Sequence, residues 1–127
     1  MSAGNEFIVL TGVTLLTAVV QRGTADMVVR VAMEAGAQGA TVFHAHGTGI
    51  RQKTMGILGL TVDTEKEVIY IVVPNEQADH IFERVFVAAK MDTPGMGILW
   101  LSRLEKMATH IPQDIAARFG VHAERRE

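Results

Sequence analysis

Four short segments constrain this chain more than anything else in it: TLLTAVV (residues 14–20), ATVFHAH (40–46), EVIYIVV (67–73) and GILWLSRL (97–104). Each is rich in β-branched and apolar residues over a length typical of a buried or half-buried strand. Only two segments between them have helical periodicity. In the first, Thr24 stands where an N-cap is wanted and Asp26 lies in the first turn. Val28, Val31, Ala32 and Ala35 then recur at three- and four-residue spacing, and Gly36 suits a left-handed C-cap. The second opens at Pro74-Asn75-Glu76 and sets Ala78, Ile81, Phe82, Val85 and Ala89 on one face. Two helices cover one face of a sheet. The other face, with the bulky residues of 15–20 and 69–73, then needs burial in a closed homo-oligomer.

The order β-α-β-β-α-β defines an α+β, ferredoxin-like arrangement, a four-stranded antiparallel sheet with both helices on one face. Asp92-Thr93-Pro94-Gly95 reads as a turn before the fourth strand, and Glu105 to Gly120 as a weakly helical tail interrupted at Pro112. The chain of 127 residues suits one compact domain. A net charge of −2 argues against nucleic-acid binding by bulk electrostatics. The absence of cysteine excludes thiol catalysis, zinc fingers and disulfides. The apolar run from Phe7 to Val20 is too short for a membrane span and lacks the basic start of a signal peptide, so a cytoplasmic protein without direct membrane insertion is expected.

The stretch HAHGTGIRQKTMGILG (44–59) carries the chemistry. It opens a loop of about twenty residues, Gly47 to Lys66, and a loop that long inside a compact domain is usually functional or disordered. Gly47 and Gly49 would let backbone N–H groups approach an anion, with Arg51, Lys53 and Lys66 as nearby cations. A solvated surface loop is the competing reading. A second glycine pair, Pro94-Gly95-Met96-Gly97, lies directly before the fourth strand, although neither pair forms a P-loop. His44 and His46 share one strand face and could chelate a metal, or serve as ordinary polar positions at a subunit contact. His80, His110 and His122 show no ligand spacing; the first two are expected on helix surfaces and the last in a frayed end. The methionines at 27, 33, 55, 91, 96 and 107 suit core and interface filling. No nucleophile-base-acid set is visible, so neither catalysis nor a catalytic cofactor is expected.

With these features in place the chain resembles the PII-like nitrogen regulatory signalling proteins from about Leu15 to Ile111. The likeness is carried by GAQGATVFHAHGTGIRQK (36–53) and by the stretch from Lys66 through VVPNEQAD to Gly97. It implies a homotrimer that binds adenine nucleotides in three inter-subunit clefts and engages a partner protein through a T-loop, here about 47–66. By position, Val19, Gly39, Ala40, Thr41 and Val72 would surround adenine and ribose. Gly47, Thr48, Gly49 and Lys66 would approach the phosphates together with Gly95, Met96 and Gly97, from the neighbouring subunit's B-loop (about 92–97). Residues 1–13 would be an N-terminal extension, 14–111 the PII-like domain and 112–127 a C-terminal tail.

The chain also departs from the family pattern. Ile98 stands where a lysine follows the B-loop glycines, and Thr109 and Ile111 stand in place of two arginines. Fewer cations favour AMP or ADP over ATP, because each hydrogen bond to a charged group contributes about 1.5–3 kcal/mol. The T-loop is short and has no tyrosine for uridylylation, and Arg51-Gln52-Lys53 falls one residue later than the family's glutamine. Arg51, Gln52, Lys53, Met55, Ile57 and Leu58 would form its effector and partner surface, a membrane transporter being the kind of partner expected. A CutA-like metal-binding trimer using His44 and His46, and a structural trimer without a small ligand, are the alternatives.

Overall fold

The computed structural model describes residues 7–47, 64–109 and 122–126. In chain order the elements are β1 (Phe7–Thr11), β2 (Val13–Gln21), α1 (Ala25–Glu34), β3 (Thr41–Gly47), β4 (Thr64–Pro74), α2 (Asn75–Ala88), β5 (Gly97–Leu104), β6 (Met107–Thr109) and β7 (His122–Arg126). The four strands and two helices expected from the sequence are β2, α1, β3, β4, α2 and β5. They form an antiparallel sheet in the order β3-β4-β2-β5, the α+β, ferredoxin-like topology.

Strand alternation sorts the side chains. Leu16, Ala18 and Val20 of β2 and Ile69, Ile71 and Val73 of β4 face the helices, where they meet Ala25, Val28 and Ala32 of α1 and Ala78, Ile81 and Val85 of α2. Leu16, Ile69, Ile71 and Ile81 have no exposed surface; burying a side chain of that size contributes about 1.5–3 kcal/mol. At the start of α2 the Asn75 N–H donates to the Gly12 carbonyl (2.9 Å) and the buried Thr14 hydroxyl donates to Asn75 Oδ1.

Both helices end in the same hydrogen-bonded cap. At α1 the Gly36 N–H donates to Met33 and the Ala37 N–H to Ala32, with Gly36 at φ 119°, as its place after the helix suggested. At α2 the Lys90 N–H donates to Val87 and the Met91 N–H to Phe86, with Lys90 at φ 53° in the position glycine usually takes. Met91 then turns back onto the core.

Two sequence readings change. The tail read as weakly helical from Glu105 contains a strand, β6, at residues 107–109, while residues 110–120 lie outside the described residues. Strand pairing with β1 outweighs the weak helical pattern there. His122, expected in a frayed end, begins β7; His110 lies outside the described residues, and His80 is on the exposed surface of α2. The pairing of β1 with β6 continues that of β2 with β5 in unbroken register. Leu10 faces Met107 three residues beyond the Val13 to Leu104 pair on both strands. On its other side β2 loses β4, which turns into α2 after Pro74, and β1 takes β7 there instead, giving a second sheet in the order β6-β1-β7. Residues assigned to the N-terminal extension and the C-terminal tail thus pair with each other.

Candidate functional site

The β2 and β3 C-termini, Gln21 and Gly47, lie at the same end of the main sheet as the β4 and β5 N-termini, Thr64 and Gly97. One chain therefore brings both stems of the long loop and the Gly95-Met96-Gly97 turn to one edge. Gln21 Nε2 donates to the Gly95 carbonyl at 2.8 Å, and the Met96 N–H donates to the Thr93 carbonyl at 3.2 Å, which fixes the turn. Lys66 lies between Ala45 and Gln21 on the sheet, and its aliphatic stem crosses the Gly47 backbone. A Cβ added at Gly47 would be 3.5 Å from Lys66 Cγ. From the strand of Lys66 to the glycine turn is two strand spacings, roughly 10 Å.

The turn between β2 and α1 is tied to the return stem of the loop. Glu67 Oε1 accepts the Gly23 N–H (2.7 Å) and the Ala25 N–H (3.0 Å), and Arg22 pairs with Glu65 at 2.8 Å across exposed surface. Thr24 is the N-cap residue of α1, but its side chain makes no capping bond. The Glu67 carboxylate, delivered from another strand, supplies what Thr24 was expected to provide. Those N–H donors, Ala25 first, outweigh desolvation and hold the Glu67 pKa below its ordinary value, with His44 across the ladder adding to the effect.

A carboxyl group whose folded pKa is depressed contributes stability that is full above its unfolded value, about 4.3, and is lost as pH falls through the lowered folded value. Glu67→Gln should thus flatten the acid limb of the stability curve. Urea denaturation between pH 6 and pH 3, showing equal slopes for the two proteins, would contradict the assignment.

His44 and His46 are exposed on the helix-side face of β3, with Glu67 and Glu65 as their cross-strand partners. No group of three or more histidine, cysteine, aspartate or glutamate side chains able to hold a metal occurs among the described residues. The two carboxylates are engaged elsewhere, Glu67 with backbone N–H groups and Glu65 with Arg22.

The residues expected around a nucleotide fall into two groups. Gly47, Lys66 and Gly95–Gly97 gather at the loop end of the sheet. Gly39, Ala40 and Thr41 lie where the chain enters β3, and Ala40 lines a shallow groove with Val29, Met33 and Val42. Six residue steps along β3 lead from Thr41 to Gly47, roughly 20 Å at 3.4 Å per residue. Val19 and Val72 project from the face opposite the helices, on neighbouring strands and different rows. Thr48, Gly49, Arg51, Gln52, Lys53, Met55, Ile57 and Leu58 lie outside the described residues. Sequence reasoning missed Gln21, Arg22, Gly23, Glu65 and Glu67; the alternating acids of TEKEV were the only signal for the last two.

That opposite face is apolar. Phe43, Tyr70, Val72, Ile98 and Trp100 are all more than one third exposed on it, Ile98 at 59%, and the Phe43 and Tyr70 rings meet edge to face at 5.1 Å. Isolated exposed apolar residues are ordinary, whereas five on one sheet face form a contiguous patch of the kind that marks an interaction surface.

Fold and site together define a small ferredoxin-like protein with an open apolar sheet face and a glycine-rich, lysine-bearing sheet end. Residues 13–111 match the family model for nitrogen regulatory protein P-II, and the chain belongs to that family. It is a PII-like regulatory protein; members of the family are regulators that bind small effectors. Among solved structures it is similar to Arabidopsis thaliana PII bound to citrate, at 18% identity and a TM-score of 0.59, over 75% of this chain and 79% of that one. No curated protein sequence matches. No helix among the described residues is long and apolar enough to cross a membrane.

Proposed function

We propose that this protein is a cytoplasmic PII-like sensor that binds an adenine nucleotide in the clefts between three copies of itself, and regulates a partner, a membrane transporter by preference, through its loop. The observation that carries the reading is the split of the candidate ligand residues. Gly39, Ala40 and Thr41 lie roughly 20 Å along one strand from Gly47, too far for one nucleotide to touch both groups on one chain. Two chains meeting through their open faces would supply one group each; Gly95–Gly97, which the resemblance assigned to the neighbouring subunit, would in this arrangement come with Gly47 and Lys66 from the same chain. Residues 14–111 then act as the binding domain, and Met55, Ile57 and Leu58 of the loop offer the apolar contact for the partner.

Among the described residues few cations are available to the outer phosphates. Ile98 follows the glycine turn and projects onto the open face, and Thr109 is an exposed residue of β6. AMP or ADP should bind at least as tightly as ATP. Calorimetric titration of the three nucleotides tests this, with divalent metal ions as the control for a metal-binding trimer. A clear preference for ATP would contradict the phosphate argument, and no binding of any nucleotide would overturn the reading.

A further inference from the structure

Lys66 is the one cation among the described residues that both the sequence and the sheet geometry direct to the proposed phosphate end, and its neighbours on the strand are acidic. Glu65 and Glu67 project to the helix side of the sheet while Lys66 projects to the other. Two carboxylates this near an anion site are a liability by charge alone. They are, however, already engaged: Glu67 by the Gly23 and Ala25 N–H groups, Glu65 by Arg22. The β2–α1 turn that holds them begins at Gln21, which also holds the Gly95 carbonyl. One short segment therefore fixes both the return stem that carries Lys66 and the glycine turn two strands away.

We propose that Glu67 is a positioning residue for the nucleotide phosphates, whose carboxylate, clamped to the β2–α1 turn, sets the strand so that the Lys66 stem lies across Gly47 at the phosphate end of the sheet. This deepens the nucleotide-binding reading and rests on it. The carboxylate contributes through geometry against its own charge, so the two effects predict opposite signs. Removing a negative charge near an anion site strengthens anion binding if charge is all that matters. Loss of the clamp weakens it.

The test is ADP titration calorimetry on the full chain as wild type, Glu67→Ala, Glu67→Gln, Lys66→Ala and the Lys66→Ala/Glu67→Ala double variant, with circular dichroism to check folding. Glu67→Ala should weaken ADP binding by roughly tenfold, the scale of one charged hydrogen bond. Glu67→Gln should restore most of it, because its amide oxygen accepts the same two N–H groups. The double variant should bind no worse than Lys66→Ala, since Glu67 acts only through Lys66. Tighter binding by both single Glu67 variants, or additive losses in the double variant, would overturn the proposal while leaving the nucleotide site standing. Wild type that fails to bind ADP would overturn both. Should Glu67→Ala not fold, Glu67→Asp decides, since it keeps the charge but shortens the reach to the Gly23 and Ala25 N–H groups: weaker ADP binding supports the clamp, and wild-type affinity refutes it.

Discussion

Gly97→Ala is expected to destabilise the fold by on the order of 3 kcal/mol, combining a strained backbone with an overpacked contact. Gly97 has φ 151°, and a Cβ there would lie 2.6 Å from the Val19 carbonyl oxygen and 3.3 Å from Val20 Cγ1. The carbonyl belongs to β2, which is paired on both sides by β4 and β5 and cannot retreat without breaking a ladder. Gly39 is the natural control. A Cβ there meets nothing within 4 Å, and Gly39→Ala should stay within about 0.5 kcal/mol of wild type. Urea midpoints measured side by side decide the matter. If the two variants unfold together, the approach of the glycine turn to β2 is looser than the geometry requires.

The second large effect concerns assembly. Trp100→Glu should convert the proposed three-chain particle into monomers at micromolar concentration, because it places an unpaired charge on the apolar open face. Burying such a charge without a partner costs several kcal/mol per subunit. Val87→Glu, on the outer surface of α2 at 74% exposure, should leave assembly unchanged. Sedimentation equilibrium on the three proteins distinguishes the cases. Wild type that sediments as a monomer would remove both the burial argument for the open face and the shared cleft.

The sequence by itself determined the elements whose causes are local. Alternation in EVIYIVV and GILWLSRL, helical spacing from Val28 to Ala32 and from Ala78 to Val85, Pro74 at a helix start and Gly36 at a helix end all act within a few residues. The topology and the surplus apolar face followed from them, since the count of helices against strands leaves one face uncovered. Only the tertiary structure decided the rest, because each remaining feature joins residues far apart in the chain. β1 and β7 pair across more than a hundred residues, with β6 on the other side of β1, which no local pattern encodes. Lys90 takes a left-handed conformation because Met91 must return to the core, although glycine is the usual choice. The cap of α1 comes from Glu67, forty-two residues past Ala25, and not from Thr24, because the antiparallel ladder carries that carboxylate to within 3.0 Å of the Ala25 N–H. A hydrogen bond is decided by which donor and acceptor the fold brings together, and sequence proximity is only one way of doing so.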